Sequence, residues 1–133
     1  MRTCSFEKIS LPWQQIKRMF SVVITIQNEK FHCPVDVALK FIGGKYKSII
    51  LYHLLRETLR FSQLQRLIPQ ATQKVLTQQL RELERDGIIH REVYPVVPPK
   101  VEYSITEFGQ KFSPIIFSMS EFGKDFLKNN AKE

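Results

Sequence analysis

Cysteine is scarce in this chain. Cys4 and Cys33 are the only two among 133 residues and lie far apart, so no disulfide framework is expected and a cytoplasmic setting is. Glycine is thin as well, and none of it forms a phosphate-cradling loop. There is no Cys-x-x-Cys and no His-Glu-x-x-His, and His32, Cys33 and His53 are not spaced as ligand pairs, so no metal or other cofactor is expected. No Ser-His-Asp arrangement can be argued, and the chain does not read as an enzyme. No apolar run approaches the ~20 residues of a membrane-spanning helix, and no membrane partner is expected. Met19–Ile26 follows Lys17-Arg18 in the manner of a signal peptide, but it is short, contains Ser21 and Thr25, and lacks a small-residue cleavage site. Repeats and low-complexity segments are missing too. Acidic residues are outnumbered, 13 against 20 basic, which leaves a net charge of +7. That balance suits a polyanion such as nucleic acid or an anionic membrane surface; the plain alternative is a set of solvated lysines.

What is present centres on Phe61–Gly87, which reads as two helices joined by a turn. Leu64, Leu67 and Ile68 give the first helix its apolar side, with Ser62 as its expected N-cap. Pro69-Gln70-Ala71 makes the turn, because a proline after Ile68 cannot continue the helix. Thr72 caps the second helix and Gly87 ends it. Leu76, Leu80 and Leu83, with Val75 beside them, form a core-facing stripe at helical spacing. Lys74, Gln78, Arg81 and Arg85 recur on another side, with Thr77 adjacent. Those long polar side chains suit base edges and phosphates. An ordinary solvated face is the rival reading of the same pattern.

The flanking sequence supports a winged helix-turn-helix, mainly α with a small β-hairpin. Pro34, Val35, Ala38, Leu39, Phe41 and Ile42 predict a helix stopped by Gly43-Gly44. Lys45–Arg56 predicts a buried central helix around Ile49, Ile50, Leu51, Leu54 and Leu55. Ile88–Tyr94 and Lys100–Ile105 predict the two wing strands, parted by the stiff tip Pro95-Val96-Val97-Pro98-Pro99. Thr106 should cap a long helix with Phe108, Phe112, Ile115, Ile116, Met119, Phe122 and Phe126 on one face, bent or divided by Pro114. So wide an apolar face on so small a domain favours dimerisation. Residues 128–133 look like a frayed end. Residues 1–31 read as a poorly defined arm, with a helix beginning near Pro12 and a strand over Val22–Ile26; Met19 would serve equally as a translation start. The expected domain for DNA binding and dimerisation is 32–128.

Several motifs in this order resemble the HxlR-type winged helix-turn-helix regulators of bacteria. They are Cys33-Pro34-Val35, Gly43-Gly44-Lys45-Tyr46-Lys47, Arg60-Phe61-Ser62-Gln63-Leu64, Leu76-Thr77-Gln78-Gln79-Leu80-Arg81-Glu82-Leu83, Asp86-Gly87 and Val101-Glu102-Tyr103-Ser104. The resemblance covers about Cys33 to Lys128, with Tyr46 standing where the family usually has Trp and Phe108 where it has Leu. It implies a homodimeric transcription factor on pseudo-palindromic operator DNA, its dimer built by the first helix and the long C-terminal helix. It also implies, for several members, a sensor of oxidants, quinones or aldehydes at the position of Cys33.

The expected DNA contacts follow from side-chain chemistry. Lys74, Thr77, Gln78 and Arg81 are candidates for base reading, and Thr72 and Gln73 stand at the helix start beside them. Arg60, Ser62 and Gln63 should touch the DNA backbone from the first helix of the motif, and Arg91 from the first wing strand. Lys100 should reach a phosphate or the minor groove, unless it is a solvated strand-end lysine. Lys45 and Lys47 could contact phosphate or cap the central helix. Cys33 precedes Pro34 at a helix N-terminus, which favours a thiolate; an inert buried cysteine is the other reading. Two rival functions stay open: a small-molecule-responsive regulator without redox chemistry, and a winged-helix protein-interaction module.

Overall fold

The computed structural model describes residues 24–26 and 28–131. The chain divides into two compact units, Met1–Lys40 and Phe41–Glu133. The helix expected near Pro12, and Cys4, lie outside the described residues. No described helix is long and apolar enough to cross a membrane.

In the first unit, β1 (Ile24–Ile26) and β2 (Glu29–Phe31) form an antiparallel hairpin with Ile24 opposite Phe31. Asn28 turns the chain at φ 67°, a conformation that Asn tolerates better than most residues. The strand expected over Val22–Ile26 is thus present at 24–26, Val22 and Val23 lying outside the described residues, while its partner β2 gave no sequence signal. Helix α1 (Pro34–Ile42) opens on the proline, whose missing N–H would have no intrahelical partner there anyway. Lys40 on α1 reaches back to Glu29 Oε1 at 2.8 Å.

The second unit builds its core around α2 (Lys47–Leu54), followed by β3 (Leu59–Arg60), α3 (Phe61–Leu67) and α4 (Gln73–Arg85). Strands β4 (Ile89–Tyr94) and β5 (Lys100–Ile105) form the wing, and α5 (Glu107–Gln110) and α6 (Ser113–Asn130) complete the chain. The sheet is antiparallel in the order β3-β5-β4, with Leu59 opposite Tyr103 and Ile89 opposite Ile105. Ile50, Leu51, Leu64, Ile68, Leu76, Leu80, Leu83, Ile88 and Ile89 are fully buried together and join the helices to the base of the wing.

Several boundaries move from their predicted positions. Helix α2 starts at Lys47 because Tyr46 is drawn into the core, its hydroxyl donating to the Gln70 carbonyl at 3.2 Å. Ser62 does not cap α3. Pairing of Arg60 with Glu102 in the sheet holds Arg60 extended, so the helix begins at Phe61 and the Arg60 N–H donates to Gln63 Oε1 at 2.8 Å. Val75 and Leu67, expected on apolar faces, remain 37% and 45% exposed. Thr72 caps α4 as predicted, accepting from the Val75 N–H at 3.1 Å. Gly87 adopts φ 77°, and the N–H groups of Gly87 and Ile88 close on the carbonyls of Glu84 and Leu83. This is the paired termination that a left-handed residue permits.

Thr106 caps α5 by accepting from the Gly109 N–H, while its own hydroxyl proton points to the Gly87 and Ile88 carbonyls at 2.6 and 2.9 Å. The chain then restarts as α6 with Pro114 in its first turn, so the long helix is divided, since a mid-helix proline would clash with the preceding turn. Helix α6 continues to Asn130, beyond the fraying expected from residue 128. Its apolar stripe is mostly uncovered: Phe112 and Ile116 are buried, but Met119, Phe122, Phe126 and Leu127 are 52–72% exposed.

Candidate nucleic-acid interface

Helix α4 presents two chemically distinct faces. Leu76, Leu80 and Leu83 sit in the core. On the opposite side Thr72, Gln73, Lys74, Thr77, Gln78 and Arg81 together line one open concavity. These are six of the residues singled out from sequence, brought side by side by helical geometry alone. Thr77 donates its hydroxyl proton to the Gln73 carbonyl at 2.7 Å, which leaves its oxygen as an acceptor. Lys74 and Arg81 have no carboxylate partner among the described residues. Arg85 lies outside the concavity, 3.8 Å from Asp86.

The remaining predicted contacts stand elsewhere. Arg60, Ser62 and Gln63 are exposed at the start of α3, where Gln63 Oε1 is occupied by the Arg60 N–H. Lys100 begins β5, its ammonium 3.3 Å from Glu102 Oε2 and 5.0 Å from the Tyr94 ring centroid, so it is tied to the base of the wing tip. Arg91 is exposed on β4. Cys33 is half-buried in the first unit, and its carbonyl accepts from the Asp36 N–H at 3.0 Å. Among the described residues no cluster of three or more His, Cys, Asp or Glu could hold a metal ion.

For Lys47 the phosphate alternative is removed. It is buried, 6% exposed, and its ammonium meets Glu82 Oε1 at 2.7 Å, so it is unavailable to phosphate. The Lys47 hydrogen bond, and then one from Gln78 at 2.9 Å, hold the Glu82 carboxyl below the usual carboxylate range. Gln79 Oε1 accepts from the Tyr46 N–H at 3.2 Å. Glu82 and Gln79 were missed because Lys47 and the Tyr46 N–H lie more than thirty residues away in the chain, beyond the reach of spacing rules. The position of Glu82 one turn after Gln78 was the only available signal. Gly44 matters here, because a Cβ on it would stand 2.5 Å from Gln79 Oε1 and 2.9 Å from Lys47 Cδ.

A family model described as HxlR-like helix-turn-helix matches residues 41–131. Among curated proteins, the chain is similar to the HTH-type transcriptional regulator YdeP of Bacillus subtilis strain 168, 56% identical over 94 residues that make up 71% of this chain and 73% of that protein. Among solved structures, it is similar to the redox regulator HypR in its oxidized form, with a TM-score of 0.68 and 55% identity, covering 70% of this chain and 96% of the other. The reduced form of HypR gives a TM-score of 0.67 and 54% identity over 70% of this chain and 92% of the other.

Proposed function

This chain belongs to the HxlR-like helix-turn-helix family of DNA-binding transcriptional regulators, and from that premise we propose that it is a cytoplasmic repressor acting as a homodimer on a pseudo-palindromic operator. One observation carries the reading: six polar side chains converge on the uncovered face of α4 while its leucines anchor the helix in the core. Lys74, Thr77, Gln78 and Arg81 read base edges from the major groove. Thr72 and Gln73 at the helix start, Arg60, Ser62 and Gln63 on α3, and Lys100 on the wing meet the DNA backbone. Residues 32–128 form the functional domain, with 1–31 as an arm.

The dimer is supported by the uncovered apolar face of α6 and by a groove between α2 and α6 lined by Ile49, Tyr52, Ile116, Met119 and Leu127. Two symmetric recognition helices require half-sites about one DNA turn apart, roughly 34–36 Å, or a multiple of it. Thiol modification of Cys33 by an oxidant or electrophile releases the DNA. The likeness to a redox regulator supports this, as does the place of Cys33 at the start of α1.

Selection of operator DNA from a random pool, followed by gel-shift titration, tests the core of the proposal. Arg81→Ala and Gln78→Ala should lose affinity and selectivity; a parent protein that selects no sequence, or variants as selective as the parent, would overturn it. A protein-interaction module would bind DNA weakly and without a steep salt dependence. Cys33→Ser separates redox control from a small-molecule effector, because electrophiles should no longer release DNA from that variant.

A further inference from the structure

Behind the reading face of α4 lies a charge relay that DNA contact alone does not require. Lys47 on α2 is buried and holds Glu82 Oε1 at 2.7 Å. Glu82 Oε2 accepts from Gln78 Nε2 at 2.9 Å, one helical turn nearer the start of α4. An ionised carboxylate can only accept hydrogen bonds, so only the amino end of the Gln78 amide can face it. Its neighbour Lys47 keeps the carboxylate ionised. The Gln78 carbonyl oxygen and its second amide proton are then not engaged by Glu82, and Gln78 lines the concavity together with Lys74, Thr77 and Arg81.

We propose that Glu82, braced by Lys47, is a positioning residue that fixes the Gln78 amide with its oxygen outward, so that Gln78 selects adenine. The inference rests on the DNA reading of this face. Adenine offers an N6 amino donor and an N7 acceptor in the major groove, which match an outward oxygen and a neighbouring amide proton. Guanine offers two acceptors there, and an amide held with its oxygen outward meets the first of them with the wrong polarity.

Selection from random DNA tests this with four proteins: the parent, Gln78→Ala, Glu82→Gln, and the double variant Lys47→Met/Glu82→Met. The double variant removes both charges together, so no buried charge is stranded. Thermal unfolding confirms that each variant is folded. Gln78→Ala identifies the base position that Gln78 reads, where the parent should prefer adenine about fivefold or more. In Glu82→Gln and in the double variant that preference should drop below about twofold while the positions read by Arg81 and Lys74 keep theirs. An undiminished adenine preference in the folded variants overturns the proposal, as does an even loss of affinity at every position, which would mark a merely structural pair. No position changed by Gln78→Ala, or a base other than adenine there, also overturns it. A parent that selects no sequence at all instead sinks the DNA reading on which it rests.

Discussion

Arg81 and Lys47 are both cations, yet they occupy opposite environments. Arg81 is exposed in the concavity of α4, whereas Lys47 is enclosed against Glu82. Loss of each should therefore read out differently. Arg81→Ala should weaken operator binding by about 1–3 kcal/mol and relax selectivity at one base position, with little change in unfolding. Lys47→Ala should cost roughly 1–3 kcal/mol of fold stability, because Glu82 loses its main partner in a partly enclosed place; urea unfolding measures it. Glu82 also sets an acid limb. Its folded pKa lies below the ordinary 4.5, so its contribution is complete above that value and is lost as pH falls through the lowered folded pKa. Glu82→Gln should flatten stability against pH below about 4.5 and leave it unchanged in shape near neutrality. The caps at Thr72 and Thr106 and the turn at Gly87 were legible in the sequence because each acts within a few residues. The Lys47–Glu82 contact was not, since it depends on how α2 crosses α4.

At the level of elements, strong periodicity survived, whereas the shortest strands were found only in part. Helix α4 and the second wing strand stand where the leucine spacing and the alternation of Lys100–Ile105 put them. Strand β3 escaped notice because two residues carry no period, and its pairing with β5 is what displaced the start of α3 from Ser62. Where α4, the wing and α5 meet, Gly109 packs so closely that a Cβ would overlap the Ile88 carbonyl. Gly109→Ala should destabilise the fold by about 1–3 kcal/mol through overpacking, lowering the urea midpoint without changing the slope. Gly44→Ala is a useful contrast, because the atoms it would crowd are side-chain ends, of Gln79 and Lys47, and not backbone. It should cost less stability.

For the molecule as a whole, the sequence disclosed a wide apolar stripe near the C-terminus, too wide for one small copy to cover, and most of it does stand uncovered. Phe122, at 72% exposure, stacks on Phe126 at a 6.2 Å centroid distance on the free side of α6. A monomer in water would expose this face, so sedimentation should show a dimer. Phe122→Asp with Phe126→Asp should shift it to monomer and weaken operator binding, while each α4 remains intact.

The short reach of the α4 face carries a consequence for addressing a genome. From Gln73 to Arg81 the helix advances ~12 Å at 1.5 Å per residue, which spans ~3–4 base pairs at 3.4 Å each. In the proposed dimer, two copies would spell out ~7 letters, about sixteen thousand distinct words, whereas a genome offers roughly 10⁶–10⁹ competing sites. The vocabulary of the two helices is too small to name one address. The remaining information has to come from letters that are never touched, through the bendability of the spacer and the width of the groove beneath the wings.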